Sequence, residues 1–119
     1  MQVAIALYDG VTALDAIGPY EVLARLPGAE ITFVAAETGS KRCDTGALAL
    51  VADATLAEHP RPEIIVVPGG PGSRRDAGEE IVEWIRSAHA SSRWTTSVCT
   101  GSLLLGAAGA LDGLRATSH

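Results

Sequence analysis

An α/β fold on a mostly parallel sheet follows from three features of this sequence. Short strand-like runs, apolar at residues 3–7, 30–36 and 64–67 and rich in β-branched residues at 94–98, alternate with segments of helical character. The runs at 3–7 and 64–67 are continuously apolar instead of alternating in polarity, as strands buried on both faces must be. Aromatic residues make up only 4% of the 119 residues, so Ala, Val, Leu, Ile and Gly do the packing, as in tightly layered sheets.

In chain order, residues 3–7 form a first strand, and Tyr8-Asp9-Gly10 turns out of it. Thr12-Ala13-Leu14-Asp15 matches a capping box, which predicts a helix start with Asp15 as a capping side chain. Gly18-Pro19 restarts that helix, Val22, Leu23 and Leu26 form its apolar stripe, and Pro27-Gly28 end it. Residues 30–36 are a second strand, and Thr38-Gly39-Ser40 is a turn. Leu48 and Leu50 mark a short strand, and residues 53–58 one helical turn. Ile64-Ile65-Val66-Val67, four β-branched residues in a row, are the strongest strand signal. Residues 78–91 form an amphipathic helix with Ile81, Trp84, Ile85 and Ala88 on one face. Glu79, Glu80 and Glu83 lie toward its start and Arg86 later, as the helix dipole favours.

The stretch Ser97-Val98-Cys99-Thr100-Gly101-Ser102 carries the chemistry. A β-branched strand precedes it and a small-residue helix, Leu103-Leu104-Leu105-Gly106-Ala107-Ala108, follows. Cys99 therefore sits at a sharp strand-to-helix turn, with small Ser97 and Gly101 two positions either side. That is the nucleophile-elbow pattern with sulfur in place of a serine oxygen. A buried structural cysteine is the alternative, since free cysteine commonly acts as a small hydrophobe. The small flanks and the immediate helix start, where unpaired N–H groups favour a thiolate, weigh for a reactive thiol.

Two other strand ends join it. Asp15 lies just past the first strand, and Pro68-Gly69-Gly70-Pro71-Gly72 follows the strand at 64–67. Right-handed crossovers bring all three ends to one sheet edge, where open α/β sheets bind ligands. The predicted site is a cleft holding a thiol, a carboxylate and a glycine-rich turn. The glycines there allow close backbone approach to a ligand, with N–H groups aimed at a developing anion, although a plain turn is the simpler role. The turn has neither the GxGxxG spacing nor the Lys-Ser/Thr of a phosphate loop. Cys43, beside Lys41 and Arg42, has no helix start or base nearby in sequence and reads as structural. His59 and His89 read as loop and surface residues, without partners at metal-ligand spacing.

The whole chain narrows the function classes. A net charge of −5 argues against an extended nucleic-acid surface. No apolar run approaches the roughly 20 residues needed to cross a bilayer, so no membrane partner is expected. The start lacks a basic segment and cleavage site, so it reads as a strand and not a signal peptide. Cys43 and Cys99 fit no CxxC pattern, and reduced thiols in a cytoplasmic protein are the expectation.

These residues resemble a known family, the ThiJ/PfpI superfamily of the class I glutamine amidotransferase-like group, and within it the isonitrile (isocyanide) hydratase branch. The resemblance lies in Leu14-Asp15-Ala16-Ile17-Gly18-Pro19-Tyr20-Glu21-Val22-Leu23, in Val67-Pro68-Gly69-Gly70, and in Thr96-Ser97-Val98-Cys99-Thr100-Gly101-Ser102-Leu103. It continues through Gly106-Ala107-Ala108-Gly109-Ala110-Leu111-Asp112-Gly113 and Arg115-Ala116-Thr117-Ser118-His119. It implies a flavodoxin-like three-layer α/β/α sandwich with a nucleophile elbow. It further implies Cys99 as nucleophile, Asp15 as acidic partner and Thr100 assisting. Gly69, Gly70 and Thr100 would form the substrate and oxyanion site, with the amides of Gly70 and Thr100 facing the anion. The implied reaction is the hydration of an isonitrile to an N-substituted formamide, a lyase activity that needs no metal or organic cofactor.

The protease branch carries histidine where Thr100 stands, and the glyoxalase and stress-protein branch usually has glutamate where Asp15 stands. The alternatives are a ligand-sensing domain of an AraC-type transcriptional regulator and a glyoxalase or deglycase acting on small aldehydes. Residues 1–119 read as a single domain that the resemblance makes C-terminally incomplete. The partners it implies are a small-molecule substrate and either a second copy, as a homodimer, or the missing C-terminal segment.

Overall fold

The computed structural model describes residues 1–74 and 77–119. A five-stranded parallel sheet has the order β5-β2-β1-β6-β7, with β1 Gln2–Ala6, β2 Glu30–Ala35, β5 Ala54–Thr55, β6 Ile64–Val67 and β7 Trp94–Ser97. A separate antiparallel hairpin pairs β3, Gly39–Arg42, with β4, Ala49–Ala52. Three α-helices complete the described fold: α1 Ala13–Leu23, α2 Gly78–His89 and α3 Gly101–Ala107.

The period-two alternation of the strands divides the apolar core between the two faces of the sheet. Ala4, Ala6, Ile65 and Val67 point to one face and meet Ile81, Ile85 and Ala88 of α2 and Leu104 and Leu105 of α3. Val3, Ile5, Ile64 and Val66 point to the other and meet Ala16 of α1 and Ala52 of β4. Ile5, Ile65, Ile81 and Ile85 are essentially inaccessible, and each such side chain contributes about 1.5–3 kcal/mol.

The order places β1 beside both β2 and β6, while the chain reaches β6 only after β5. Crossovers leave β1 to one side and β6 to the other, so a crevice opens at the carboxyl ends of these strands. Val66 is level with Thr96, and Val67 with Ser97, so β6 and β7 end together. The segments after β1, β6 and β7 thus meet at one edge.

Several local expectations change. Thr12 precedes α1, yet it forms no side-chain cap; its hydroxyl donates to Asp44 Oδ2 at 2.8 Å, and Asp15 turns inward. A capping box forms instead between Thr55 and Glu58, at the 3-10 turn Leu56–Glu58, where the sequence predicts one helical turn. The Thr55 backbone N–H, and then its hydroxyl, hold the Glu58 carboxyl below its usual range.

Gly18-Pro19 does not restart α1, which runs unbroken through Pro19. Its anticipated apolar stripe is largely open: Val22 is exposed, Leu26 lies past the helix and is exposed, and Leu23 is half-buried. The Gly39-Ser40 turn and the basic pair after it form β3, because the hairpin pairs Lys41 with Leu50 and Arg42 with Ala49.

Candidate active site

The site begins with a clamp on the turn after β6. Tyr8, buried just past β1, donates its hydroxyl to the Pro68 carbonyl at 2.6 Å. The Thr12 N–H donates to the Gly69 carbonyl at 2.9 Å. The Gly69 N–H donates to Asp15 Oδ2 at 3.2 Å. One loop and the first turn of one helix thereby hold both sides of the Gly69 residue. Asp15, 8% exposed, is the one charged side chain among the described residues counted as buried.

The elbow presses on the same turn from β7. Cys99 has φ +52°, the only non-glycine residue with positive φ among those described. Such a conformation costs a cysteine about 1–2 kcal/mol relative to an ordinary helical or strand backbone. The surroundings enforce it. Gly101 sits against β6 so closely that a Cβ there would collide with the Val67 carbonyl, and its N–H donates to Val98 O at 2.9 Å. A Cβ on Gly69 would lie 2.6 Å from Thr100 N and 2.9 Å from Val98 O. A Cβ on Gly70 would collide with the Gly10 carbonyl.

The glycine run therefore has a structural cause: it lets three loops of the chain approach one another. Its N–H groups are also engaged. The Gly70 N–H, anticipated at the anion pocket, donates to Thr100 Oγ1 at 2.9 Å. The Gly69 N–H is held by Asp15.

Above this junction lies a cleft of about 490 Å³, lined by Thr12, Gly70, Pro71, Arg74, Cys99, Thr100 and His119. Cys99 is exposed and lines it. Cys99, Thr100 and Gly70 thus come together on the wall of one cleft. Asp15 and Gly69 do not line the cleft; they lie behind it, joined to each other. No hydrogen bond joins Asp15 to Cys99 among the described residues.

Five contributors are not among the candidate site residues read from the sequence. Tyr8 and Thr12 flank the first turn, and the first of them could have been found from its place immediately after a buried strand. Ser73 donates its hydroxyl to Gly70 O at 2.7 Å and lies 3.2 Å from Thr100 Oγ1. It sits in the 3-10 turn Pro71–Arg74, which has no sequence signal beyond its proline and glycine. Arg74 gives the cleft wall a cationic side chain, and His119 lines it as well. Burial, then the neighbouring Asp15 and Cys99 charges, push the Tyr8 hydroxyl well above the usual phenol range, partly opposed by the Ser73 hydroxyl.

Cys43 is elsewhere and unlike Cys99. It is 3% exposed, forms a parallel bridge with Val11, and donates its N–H to Leu48 O. Burial, then Asp44, push its thiol up, while Arg42 partly offsets this. His59 supplies a carbonyl to Trp84 Nε1, and exposed His89 hydrogen-bonds Thr95. Among the described residues, no three His, Cys, Asp or Glu side chains converge to hold a metal ion. No helix of the described residues is long and apolar enough to cross a membrane.

Comparison with known proteins agrees with this architecture. The model of the DJ-1/PfpI family matches residues 1–119. An isonitrile hydratase of Pseudomonas putida is 42% identical over 120 residues, covering 100% of this chain and 52% of the hydratase. The crystal structure of a ThiJ/PfpI family protein from Pseudomonas syringae superposes with a TM-score of 0.90 at 35% identity, over 99% of this chain and 50% of that one. The chain thus spans about half the length of these two relatives. An AraC family transcriptional regulator from Pseudomonas putida shares the fold, with a TM-score of 0.78 at 22% identity over 95% of this chain and 63% of that one. With its parallel sheet, its cysteine elbow and a family match from end to end, the chain belongs to the DJ-1/PfpI family.

Proposed function

We propose that this chain carries the cysteine site of an isonitrile hydratase-like enzyme, which converts R–N≡C and water to R–NH–CHO. The observation that carries the reading is the exposed Cys99, held at positive φ on the wall of a cleft, in a chain 42% identical throughout to an isonitrile hydratase.

In this reading the Cys99 thiolate attacks the terminal isonitrile carbon, and a C–S bond forms. A proton goes to that carbon, giving the thioimidate R–N=CH–S–Cys99. Water then adds to the same carbon while the nitrogen takes up a proton. The C–S bond breaks, the oxygen loses its proton, and formamide leaves with the thiolate regenerated.

Asp15 is the proton carrier. Its Oδ2 is held by the Gly69 N–H, which fixes the carboxyl group. Thr100 contributes its hydroxyl at the cleft wall. Gly70 and Thr100 line the cleft beside Cys99, with the Gly70 N–H held by Thr100 Oγ1.

The test is formamide production from a simple alkyl isonitrile, followed by mass spectrometry in H₂¹⁸O. Incorporation of one labelled oxygen, absent in Cys99→Ala, is expected. No formamide above the uncatalysed rate would rule the reading out. A second reading, a ligand-sensing domain, draws on the fold shared with the AraC family regulator. It predicts saturable binding of a small molecule in the Cys99 cleft without turnover.

A further inference from the structure

Thr100 Oγ1 sits in a crowded set of hydrogen bonds, and the arrangement decides where its single proton points. The oxygen accepts from the Gly70 N–H at 2.9 Å. It also accepts from the Ser73 hydroxyl at 3.2 Å, and as a donor its one protein acceptor among the described residues is Gly70 O at 3.3 Å. Hydroxyl-to-oxygen bonds prefer about 2.7–2.8 Å, so that bond is a long one.

The Gly70 carbonyl is already filled. It has two lone pairs, and it receives the Ser73 N–H at 3.0 Å and the Ser73 hydroxyl at 2.7 Å. Ser73 therefore takes the acceptor that the Thr100 hydroxyl would otherwise use. Thr100 and Gly70 both line the cleft, and Cys99 immediately precedes Thr100 in the chain.

We propose that Ser73 is a positioning residue: by occupying the Gly70 carbonyl it leaves the Thr100 hydroxyl proton aimed into the cleft, toward the substrate nitrogen. This rests on the hydration reading for its substrate. There the nitrogen of R–N=CH–S–Cys99 carries a lone pair that takes up a proton as water adds. A hydroxyl donor at that atom stabilises the charge as it develops, which is an interaction stronger in the transition state than in the bound isonitrile. Thr100 thus acts on the substrate, and Ser73 acts through Thr100.

The experiment combines kinetics with crystallography on wild type, Ser73→Ala, Ser73→Thr, Thr100→Val and the Ser73→Ala/Thr100→Val double variant. In Ser73→Ala, kcat with an alkyl isonitrile should fall about tenfold, a fraction of the 10²–10⁴ that a positioned proton donor supplies, with KM within about twofold of wild type. Ser73→Thr, which keeps the hydroxyl, should restore most of it. In the Thr100→Val background, Ser73→Ala should cost nothing further. The crystal structure of Ser73→Ala should show Thr100 Oγ1 drawn onto the Gly70 carbonyl, from 3.3 Å in wild type to below about 3.0 Å.

Should Ser73→Ala fail to fold, Ser73→Cys keeps the volume with a poor donor and carries the same expectations. Wild-type kcat in Ser73→Ala, additive losses in the double variant, or an unchanged Thr100–Gly70 separation would each overturn the proposal. If wild type turns over no isonitrile, the hydration reading fails, while the Thr100–Gly70 distance in the variant still decides the role of Ser73.

Discussion

The two cysteines of this chain are chemically identical and structurally opposite. Cys43 lies in the loop after β3, 3% exposed, with its thiol pushed up by burial. Basic Lys41 and Arg42 precede it, yet Arg42 only partly offsets that burial. Cys99 has no basic neighbour in sequence; its exposure and its φ of +52° come from the junction of β6, β7 and α3. What separates them is backbone placement and access, not the charge of adjacent residues. Thiol reactivity follows from the fold around the sulfur.

The largest effect that would sharpen this contrast is on turnover. Cys99→Ala should lower kcat by about 10³-fold or more, since removing a nucleophile removes the covalent route. Cys43→Ala should leave kcat within about twofold and cost about 1 kcal/mol of stability through the lost buried sulfur. Equal kcat losses in the two variants, measured with the same isonitrile, would erase the distinction.

Next in size is the elbow itself. A methyl group at Gly101 must collide with the Val67 carbonyl, so Gly101→Ala should cost about 3 kcal/mol by denaturant titration. A cost under about 0.5 kcal/mol would mean the elbow is not pinned there.

Asp15→Asn comes third. Asparagine can still accept the Gly69 N–H, so the fold should survive while kcat drops about 10²-fold through the missing proton carrier. Retention of full activity would reduce Asp15 to a structural acceptor.

Smaller again is the strain at the nucleophile. Glycine tolerates positive φ and alanine does not, so Cys99→Gly should be more stable than Cys99→Ala by about 1 kcal/mol. The reverse order would show that position 99 is unstrained.

The smallest effect is an alkaline one. Cys43 and Tyr8 both have folded pKa values raised above their ordinary ones. Their contribution is fully present below the ordinary thiol and phenol ranges. It is lost as pH rises, because the unfolded chain releases those protons first. Stability should decline above the thiol range, and Cys43→Ala should flatten the first part of that decline in urea melts across pH. An unchanged slope would count against burial as the cause.

Much of the fold was legible because its signals are local. The β-branched run 64–67 and the apolar run 3–7 specify buried parallel strands by themselves, and the face of α2 can be read from Ile81, Trp84, Ile85 and Ala88. Cys99 was legible because an elbow requires small flanks, and the contact of Gly101 with Val67 supplies the physical reason. What escaped depends on distant partners. Thr12 and Asp15 have the spacing of a capping box, but each finds a better partner far along the chain, Asp44 and the Gly69 N–H. The glycine run reads in sequence as a plain turn or as a ligand cradle; its glycines are required by the approach of Gly10, Thr100 and Val98. Ser73 was invisible because a serine in a turn carries no signal until Thr100 is placed beside it.

The most direct test of the account is site-resolved alkylation. Iodoacetamide near neutral pH, followed by peptide mass spectrometry, gives the rates at Cys99 and Cys43 in the same folded molecule, and again in urea. The account predicts labelling at Cys99 faster than at Cys43 by about 10²-fold or more in the folded chain, and a ratio near one once unfolded. Preferential labelling of Cys43 in the folded chain, or a Cys99 preference that persists in urea, would contradict it.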